Sequence, residues 1–126
     1  MVQQVTHNIK VSVDTHFEGA IITDIRKQYA FSYEIVIENN SNQKVQLLSR
    51  YWLIKDALNE TEIVEGKGVI GRQPVLAPGE IHTYKSGCLL TAPFGSMQGH
   101  YIMTTPFAEI EVGIPLFKLS VPFAMN

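Results

Sequence analysis

The 126-residue chain lacks several features that mark particular protein classes. Its single cysteine, Cys88, excludes an internal disulfide and suits a reducing compartment. No uninterrupted apolar run approaches the roughly 18 residues of a membrane-spanning helix, and the first residues do not form a secretory signal pattern. We therefore expect a cytoplasmic protein that does not enter a membrane.

An excess of charge of one sign is also missing. Residues 1–63 carry 6 basic and 8 acidic side chains, and residues 64–126 carry 4 of each, so neither half is polarised. Proteins that bind nucleic acid show a clustered basic surface, and anionic membranes attract polybasic stretches. Neither nucleic acid nor a membrane is predicted as a partner.

Helical periodicity is nearly absent, whereas alternation of apolar and polar residues recurs. Residues 6–14 and 29–38 each place apolar side chains on one face: Ile9, Val11 and Val13 in the first segment, and Tyr29, Phe31, Tyr33, Ile35 and Ile37 in the second. Turn signals arrive about every 8–12 residues, as in sandwiches and barrels. The sequence predicts a single domain, residues 1–126, folded as an all-β, two-sheet antiparallel sandwich of seven or eight strands.

Further strands are predicted at residues 45–54, which include the only tryptophan, Trp52, and at residues 60–65. A turn is predicted at residues 56–60. Residues 91–99 contain one proline and two glycines and are predicted to be a loop. Trp52 is expected to anchor the core because its side chain can bury a large area.

Three glycines, Gly66, Gly68 and Gly71, match the G-x-G-x-x-G spacing of a phosphate-binding loop. In a dinucleotide site the third glycine opens a helix whose amides hold the pyrophosphate. Pro74 and Pro78 follow too closely for a continuous helix. The motif is therefore interpreted as a loop in an all-β protein.

This loop leaves two interpretations open. Its backbone amides, together with Lys67 and Arg72, could bind phosphate, pyrophosphate or a nucleotide. Alternatively, Gly66, Gly68 and Gly71 are needed for positive φ in a connection flanked by two solvated cations. The second interpretation is favoured because the motif lacks its helix.

Metal and catalytic sites have little support in the sequence. The four histidines, His7, His16, His82 and His100, show no ligand spacing, so neither a metal nor another cofactor is predicted. Cys88 paired with His82 or His100 would make a nucleophile, but a lone cysteine in an apolar stretch is more often an inert thiol. The carboxylates of Glu109 and Glu111 are spaced as on a solvated strand face. The chain is predicted not to be an enzyme.

A protein partner is favoured instead. Phe94 and Met97 lie in the predicted loop, where they either form an exposed patch for a partner or fold beneath the loop as part of the core. Unpaired edge strands would also permit a homodimer.

Several segments in order resemble the bacterial ApaG family, also known as CorD or DUF525. They are Ser49–Ile54, Val64–Pro74, Leu76–Glu80, Tyr84–Cys88 and Gly95–Tyr101. The resemblance implies a fibronectin type III or immunoglobulin-like sandwich. It also implies an indirect link to cobalt and magnesium resistance without an established activity, and kinship with eukaryotic domains that look like protein-recognition modules. An interaction module is therefore expected, with a sensor for a small anion or divalent cation as the alternative.

Overall fold

The computed structural model describes residues 1–57 and 59–122, and these form nine strands in two antiparallel sheets. The strands are β1 (Val2–Thr6), β2 (Ile9–Ile22), β3 (Lys27–Asn39), β4 (Val45–Asp56), β5 (Glu62–Lys67), β6 (Val75–Leu76), β7 (Ile81–Leu90), β8 (Phe94–Thr104) and β9 (Glu109–Ser120). The predicted turn at residues 56–60 includes Leu58, which lies outside the described residues. Within the described ranges, no helix has the length and apolar character that crossing a membrane requires.

The sheets pack as the predicted sandwich. The first has the strand order β1-β2-β3-β7 and the second has the order β5-β4-β8-β9, with the short β6 alongside the beginning of β4. This is the architecture that fibronectin type III and immunoglobulin-like domains share. The fold class predicted from alternation is confirmed.

The inward faces of β2 and β3 are those that the alternation predicted. Their apolar residues are all buried in one core: Ile9, Val11, Val13, Tyr29, Phe31, Tyr33, Ile35 and Ile37. Trp52, on β4, is 3% exposed and meets Tyr33 and Phe117 edge-on, with ring centroids 5.5 and 5.8 Å away. The expectation that Trp52 anchors the core is confirmed.

The beginning of the chain differs from its prediction. Residues 6–14 are not one strand, because His7 and Asn8 have positive φ angles of 51° and 62° and form the turn between β1 and β2. Asn and His tolerate this left-handed conformation better than most side chains. The turn creates β1, which the sequence interpretation had missed.

The predicted loop at residues 91–99 is also wrong. Strand β8 already begins at Phe94, and only residues 91–93 connect it to β7. Gly95 and Gly99 do not break the strand but allow β4 to approach. A Cβ on Gly99 would lie 1.9 Å from the carbonyl oxygen of Tyr51, and one on Gly95 would lie 2.3 Å from that of Lys55.

A bulge in β4 changes which residues face the interior. The register against β8 shifts between Leu47 and Ser49, so that Arg50 pairs with Tyr101, which is fully buried. Inward positions beyond the bulge are therefore Arg50, Trp52 and Ile54. A cationic side chain is thereby directed between the sheets.

The two long sides of the sandwich differ. On one side β1 closes the gap between the sheets, since Thr6 Oγ1 accepts a hydrogen bond from the Gly113 amide of β9 at 3.2 Å. Val112 and Ile114 are buried behind it. On the other side β5 and β7 are the outermost strands, and a cleft remains between them.

Candidate functional site

The glycine motif forms a tight hairpin. The amides of Val69 and Arg72 donate to each other's carbonyl oxygens at 2.8 and 3.0 Å, around Ile70 and Gly71 with φ angles of 47° and 71°. Positive φ at both central residues defines a type I′ turn. No α-helix begins at Gly71 or Arg72. The prediction that no helix follows the motif is confirmed, whereas Gly66 and Lys67, which were predicted to lie in the loop, are the last two residues of β5.

Two of the glycines have packing reasons. Gly68 has a φ of 62°, and a Cβ there would lie 2.1 Å from the carbonyl oxygen of Arg72. A Cβ on Gly66 would lie 2.9 Å from both terminal nitrogens of Arg50. The prediction of positive φ is confirmed for Gly68 and Gly71 and is wrong for Gly66, which lies in β5 and is small enough to admit the guanidinium.

The predicted anion site in this loop is already partly occupied by internal bonds. The amide of Gly68 donates to the carbonyl oxygen of Leu48 at 2.8 Å, and the amides of Val69 and Arg72 bond across the turn. Three amides of the expected nest are thus used within the protein. Lys67 and Gly71 face a neighbouring pocket, and anion binding by the loop itself stays a prediction.

Arg50, which was not among the site residues predicted from the sequence, lies beneath this hairpin. Its Nη1 donates to the carbonyl oxygens of Lys67 at 3.0 Å and Gly68 at 2.9 Å. In the part of the chain that the structure describes, the ion pairs within 4.0 Å do not include Arg50. The loop carbonyls hold this guanidinium in place without neutralising its charge.

The open cleft between β5 and β7 contains two adjoining cavities of about 270 and 500 Å³. Four residues line both of them: Tyr33, Arg50, Trp52 and Ser86. Lys67, Tyr84 and the hairpin residues 69–71 also line the smaller cavity, which we call the Arg50 pocket, whereas Glu62 and Cys88 belong to the larger one. The cleft therefore has a cationic end and an end that contains a carboxylate.

The hydroxyl groups in this cleft stay protonated at neutral pH. Burial raises the pKa of Tyr33, which also forms a hydrogen bond with Ser86. Burial likewise raises the pKa of Tyr84, whose hydroxyl bonds to that of Tyr101 on β8. Each hydroxyl consequently keeps its proton, and in the Tyr33–Ser86 pair the hydroxyl that accepts the shared bond is still free to donate beside Arg50.

The cysteine and the histidines do not assemble. Burial raises the pKa of Cys88 to about 11, with a further contribution from the charges of Glu62 and Asp56. His100 lies on the outer face of its sheet, where it stacks on Tyr51 at 4.9 Å. His82 lies six residues from Cys88 on the same strand, about 20 Å away at the rise of a β-strand. The pairing of Cys88 with either histidine, which the sequence analysis considered and disfavoured, is not present.

The remaining titratable groups are dispersed. His7 and His16 are exposed, and burial together with the charge of Arg72 lowers the pKa of His82. Exposed Glu111 lies 3.4 Å from His100. Among the described residues, no three His, Cys, Asp or Glu side chains are close enough to hold a metal ion.

The structure separates the two residues predicted to contact a partner. Met97 is only 1% exposed and belongs to the core, so it is not available to a partner. Phe94 is 52% exposed on the outer face of the second sheet. The reason is that residues three apart on a strand point to opposite faces. One side chain of the predicted patch is exposed, and the other is folded into the core.

Phe94 lies in a shallow outer groove of about 630 Å³ across β4, β8 and β9. The groove, called the Phe94 groove below, is lined by Lys55, Ala57, Phe94, Gly95, Ser96, Leu116, Lys118, Leu119 and Ser120. Lys55 and Lys118 both pair with Ser96, so that the two lysines flank one central position. The described lining contains two cations and no carboxylate.

The two stacked antiparallel sheets and their loops define this chain as an all-β sandwich domain. Residues 23–105 match the family model described as the ApaG domain, DUF525. Protein ApaG of Pseudomonas paraeruginosa is 40% identical over 121 residues, covering 95% of this chain and 96% of that protein. Protein ApaG of Mesorhizobium japonicum is 42% identical over 123 residues, covering 97% and 95%.

A solved structure shows the same fold. The crystal structure of a Bordetella pertussis protein described as ApaA is similar with a TM-score of 0.81 and 35% identity, covering 94% of this chain and 97% of that one. The chain belongs to the ApaG domain family, as its motifs predicted. The names of these relatives indicate no enzymatic activity.

Proposed function

We propose that this chain is a non-enzymatic module that binds an acidic, extended segment of a partner protein in the Phe94 groove. The observation that carries the proposal is an aromatic side chain, 52% exposed, two residues along β8 from Ser96, which pairs with a lysine on each neighbouring strand. Leu116, 49% exposed, extends the apolar surface. Apolar surface rimmed by polar groups is typical of interaction sites.

The charge of the groove favours an acidic partner segment. The chain as a whole has a formal charge of −2, yet Lys55 and Lys118 give this groove a local positive charge. An extended segment crossing the groove would place an apolar side chain on Phe94 and a carboxylate near each lysine. Complementary charges of this kind set the orientation and the rate of association more than the affinity.

The proposal is tested by comparing two exposed phenylalanines. Phe107 is 81% exposed in the turn after β8, at the opposite end of that strand from Phe94. We expect Phe94→Ala to abolish selection of acidic peptides from a displayed peptide library, and Phe107→Ala to leave it intact. The double variant Lys55→Gln/Lys118→Gln should remove the preference for acidic residues.

Two results would contradict the proposal. One is equal peptide binding by the Phe94→Ala and Phe107→Ala variants. The other is a set of selected peptides without acidic residues. Crosslinked partners captured from a cell lysate should show the same dependence on Phe94, with Phe107→Ala as the control. Neither comparison presupposes a small ligand, so the test is independent of the cleft on the other side of the molecule.

A further inference from the structure

We infer that the Arg50 pocket binds the oxyanion group of a small molecule, with the Arg50 guanidinium as its principal contact. This site differs from the glycine loop predicted from sequence, because a side chain from β4 and not the loop amides would hold the anion. It is also separate from the Phe94 groove, which lies on the outer face of the same sheet.

The first argument is the state of Arg50. Its Nη1 is fixed by two carbonyl oxygens, and the described ion pairs give it no carboxylate. Neutral carbonyls orient a guanidinium but do not neutralise its charge. A partly buried cation without a counter-charge favours an incoming anion.

The second argument is the set of groups around it. The hydroxyl-bearing residues Tyr33, Tyr84 and Ser86 line the same pocket, and Lys67 adds a second cation at its exposed edge. An oxyanion accepts hydrogen bonds from guanidinium and hydroxyl groups, and such charge-assisted bonds are the stronger ones. The glycine at position 66 leaves the space that the guanidinium occupies.

The third argument concerns the size of the ligand. The Arg50 pocket, about 270 Å³, adjoins a second cavity of about 500 Å³ whose lining includes the apolar side chains of Ile54, Val64 and Met97, together with Glu62. A ligand with its oxyanion at Arg50 could extend an apolar portion into that space. Small-molecule sites combine a mostly apolar lining with a few polar groups in this way.

The test uses the only tryptophan in the chain as a reporter. Trp52 lines both cavities, so its fluorescence responds to occupancy of the cleft. Inorganic phosphate, pyrophosphate and acetate are titrated separately into the wild-type protein, against sodium chloride at the same ionic strength. We expect a saturable change with at least one of the three anions, and the phosphate and acetate arms distinguish a phosphoryl from a carboxylate ligand.

Arg50→Gln should weaken this binding about tenfold or more, because it removes a charged donor. Lys85→Gln is the matched control. This variant also removes one positive charge. Lys85 lies on β7 next to Ser86, but its side chain is exposed on the outer face and does not reach the pocket. A loss of binding equal to that of Arg50→Gln would overturn the proposal.

A wild-type measurement covers the case in which Arg50→Gln does not fold. The side-chain Nε resonance of Arg50 should shift with the same midpoint as the Trp52 fluorescence. Even a ligand with a dissociation constant in the millimolar range, roughly −4 kcal/mol of binding free energy, would give a signal at about 50 mM anion. If neither signal departs from the sodium chloride control up to that concentration, the proposal is wrong. Shifts confined to the amides of Gly68 and Gly71 would instead place the anion on the hairpin and would also overturn it.

Discussion

The two long sides of the sandwich differ in whether the gap between the sheets is covered. Along the β1–β9 side, a short strand covers the gap between the sheets, and Val112 and Ile114 behind it are buried. Along the β5–β7 side, the sheets stay apart, and the inward positions include Arg50 and Ser86. A sandwich can thus keep polar side chains between its sheets where solvent, a ligand or another protein group satisfies their hydrogen bonds, because unpartnered buried polar groups are costly.

The hairpin on the open side should be sensitive to a single methyl group. Gly68→Ala is expected to lower the free energy of unfolding by about 2–4 kcal/mol. The new Cβ would collide with a backbone oxygen, and alanine would also have to adopt an unfavourable positive φ. Gly71→Ala has a similar φ of 71° but nothing within 4 Å, so about 1 kcal/mol is expected. Urea denaturation measures both. Equal costs would show that φ alone matters here.

The paired hydroxyls of Tyr84 and Tyr101 should show strong coupling. Tyr84→Phe leaves the fully buried Tyr101 hydroxyl without its partner, so about 2 kcal/mol of destabilisation is expected. Adding Tyr101→Phe removes the unsatisfied group and should recover a large part of that loss. A double-mutant cycle from denaturation curves measures the coupling. Additive effects would mean that water replaces the missing hydroxyl. Solvent from the open side would then reach past Tyr84 to Tyr101.

Asp56 should make stability depend on acid pH. Burial alone would raise its pKa, but hydrogen bonds from Thr91, Asn59 and Ala92 outweigh burial and hold the pKa below 3.8. Because the folded-state pKa is lowered, this stabilisation is present above pH 3.8 and is lost as the pH falls through the folded-state value. Asp56→Asn should cost about 1 kcal/mol at pH 7, since the group is partly solvated.

The measurement for Asp56 is the difference in unfolding free energy between wild type and Asp56→Asn from pH 7 to pH 2. We expect this difference to shrink toward acid, since the wild-type carboxylate becomes protonated there. A difference that is constant with pH would assign the stabilisation to packing of the side chain and not to its charge.

The closed side of the sandwich should tolerate an added methyl group at Gly113. A Cβ on Gly113 would lie 2.3 Å from Nε2 of Gln4, which is the end of a flexible side chain and not a backbone atom. Gly113→Ala is therefore expected to cost less than about 1 kcal/mol, because Gln4 can move aside. A loss as large as that of Gly68→Ala in the same urea assay would show that β1 is held rigidly against β9.

Much of the sandwich could be predicted because alternation reports directly which side chains face inward. It succeeded for β2 and β3, where the register is interrupted only by a bulge between Phe17 and Gly19. It failed at β8, because glycine marks both loops and places where two backbones approach closely. Gly95 and Gly99 are of the second kind, and only the partner strand β4 reveals this.

The candidate sites were harder to predict. Arg50 faces the interior because a bulge shifts the register of β4 by one residue. The sequence around the bulge has no pattern that predicts this shift. Phe94 and Met97 were grouped because both are apolar in a segment rich in turn-forming residues. Their separation follows from strand geometry once β8 is known to begin at Phe94.

Solvent access to methyl groups tests the difference between the two sides most directly. A neutral, water-soluble paramagnetic chelate enhances relaxation of methyl protons that it can approach. We predict larger enhancement for Ile54 and Val64, which line the open cleft, than for Val112 and Ile114 behind β1. Equal enhancement for the two pairs of methyl-bearing residues would contradict the account of one sealed side and one open side.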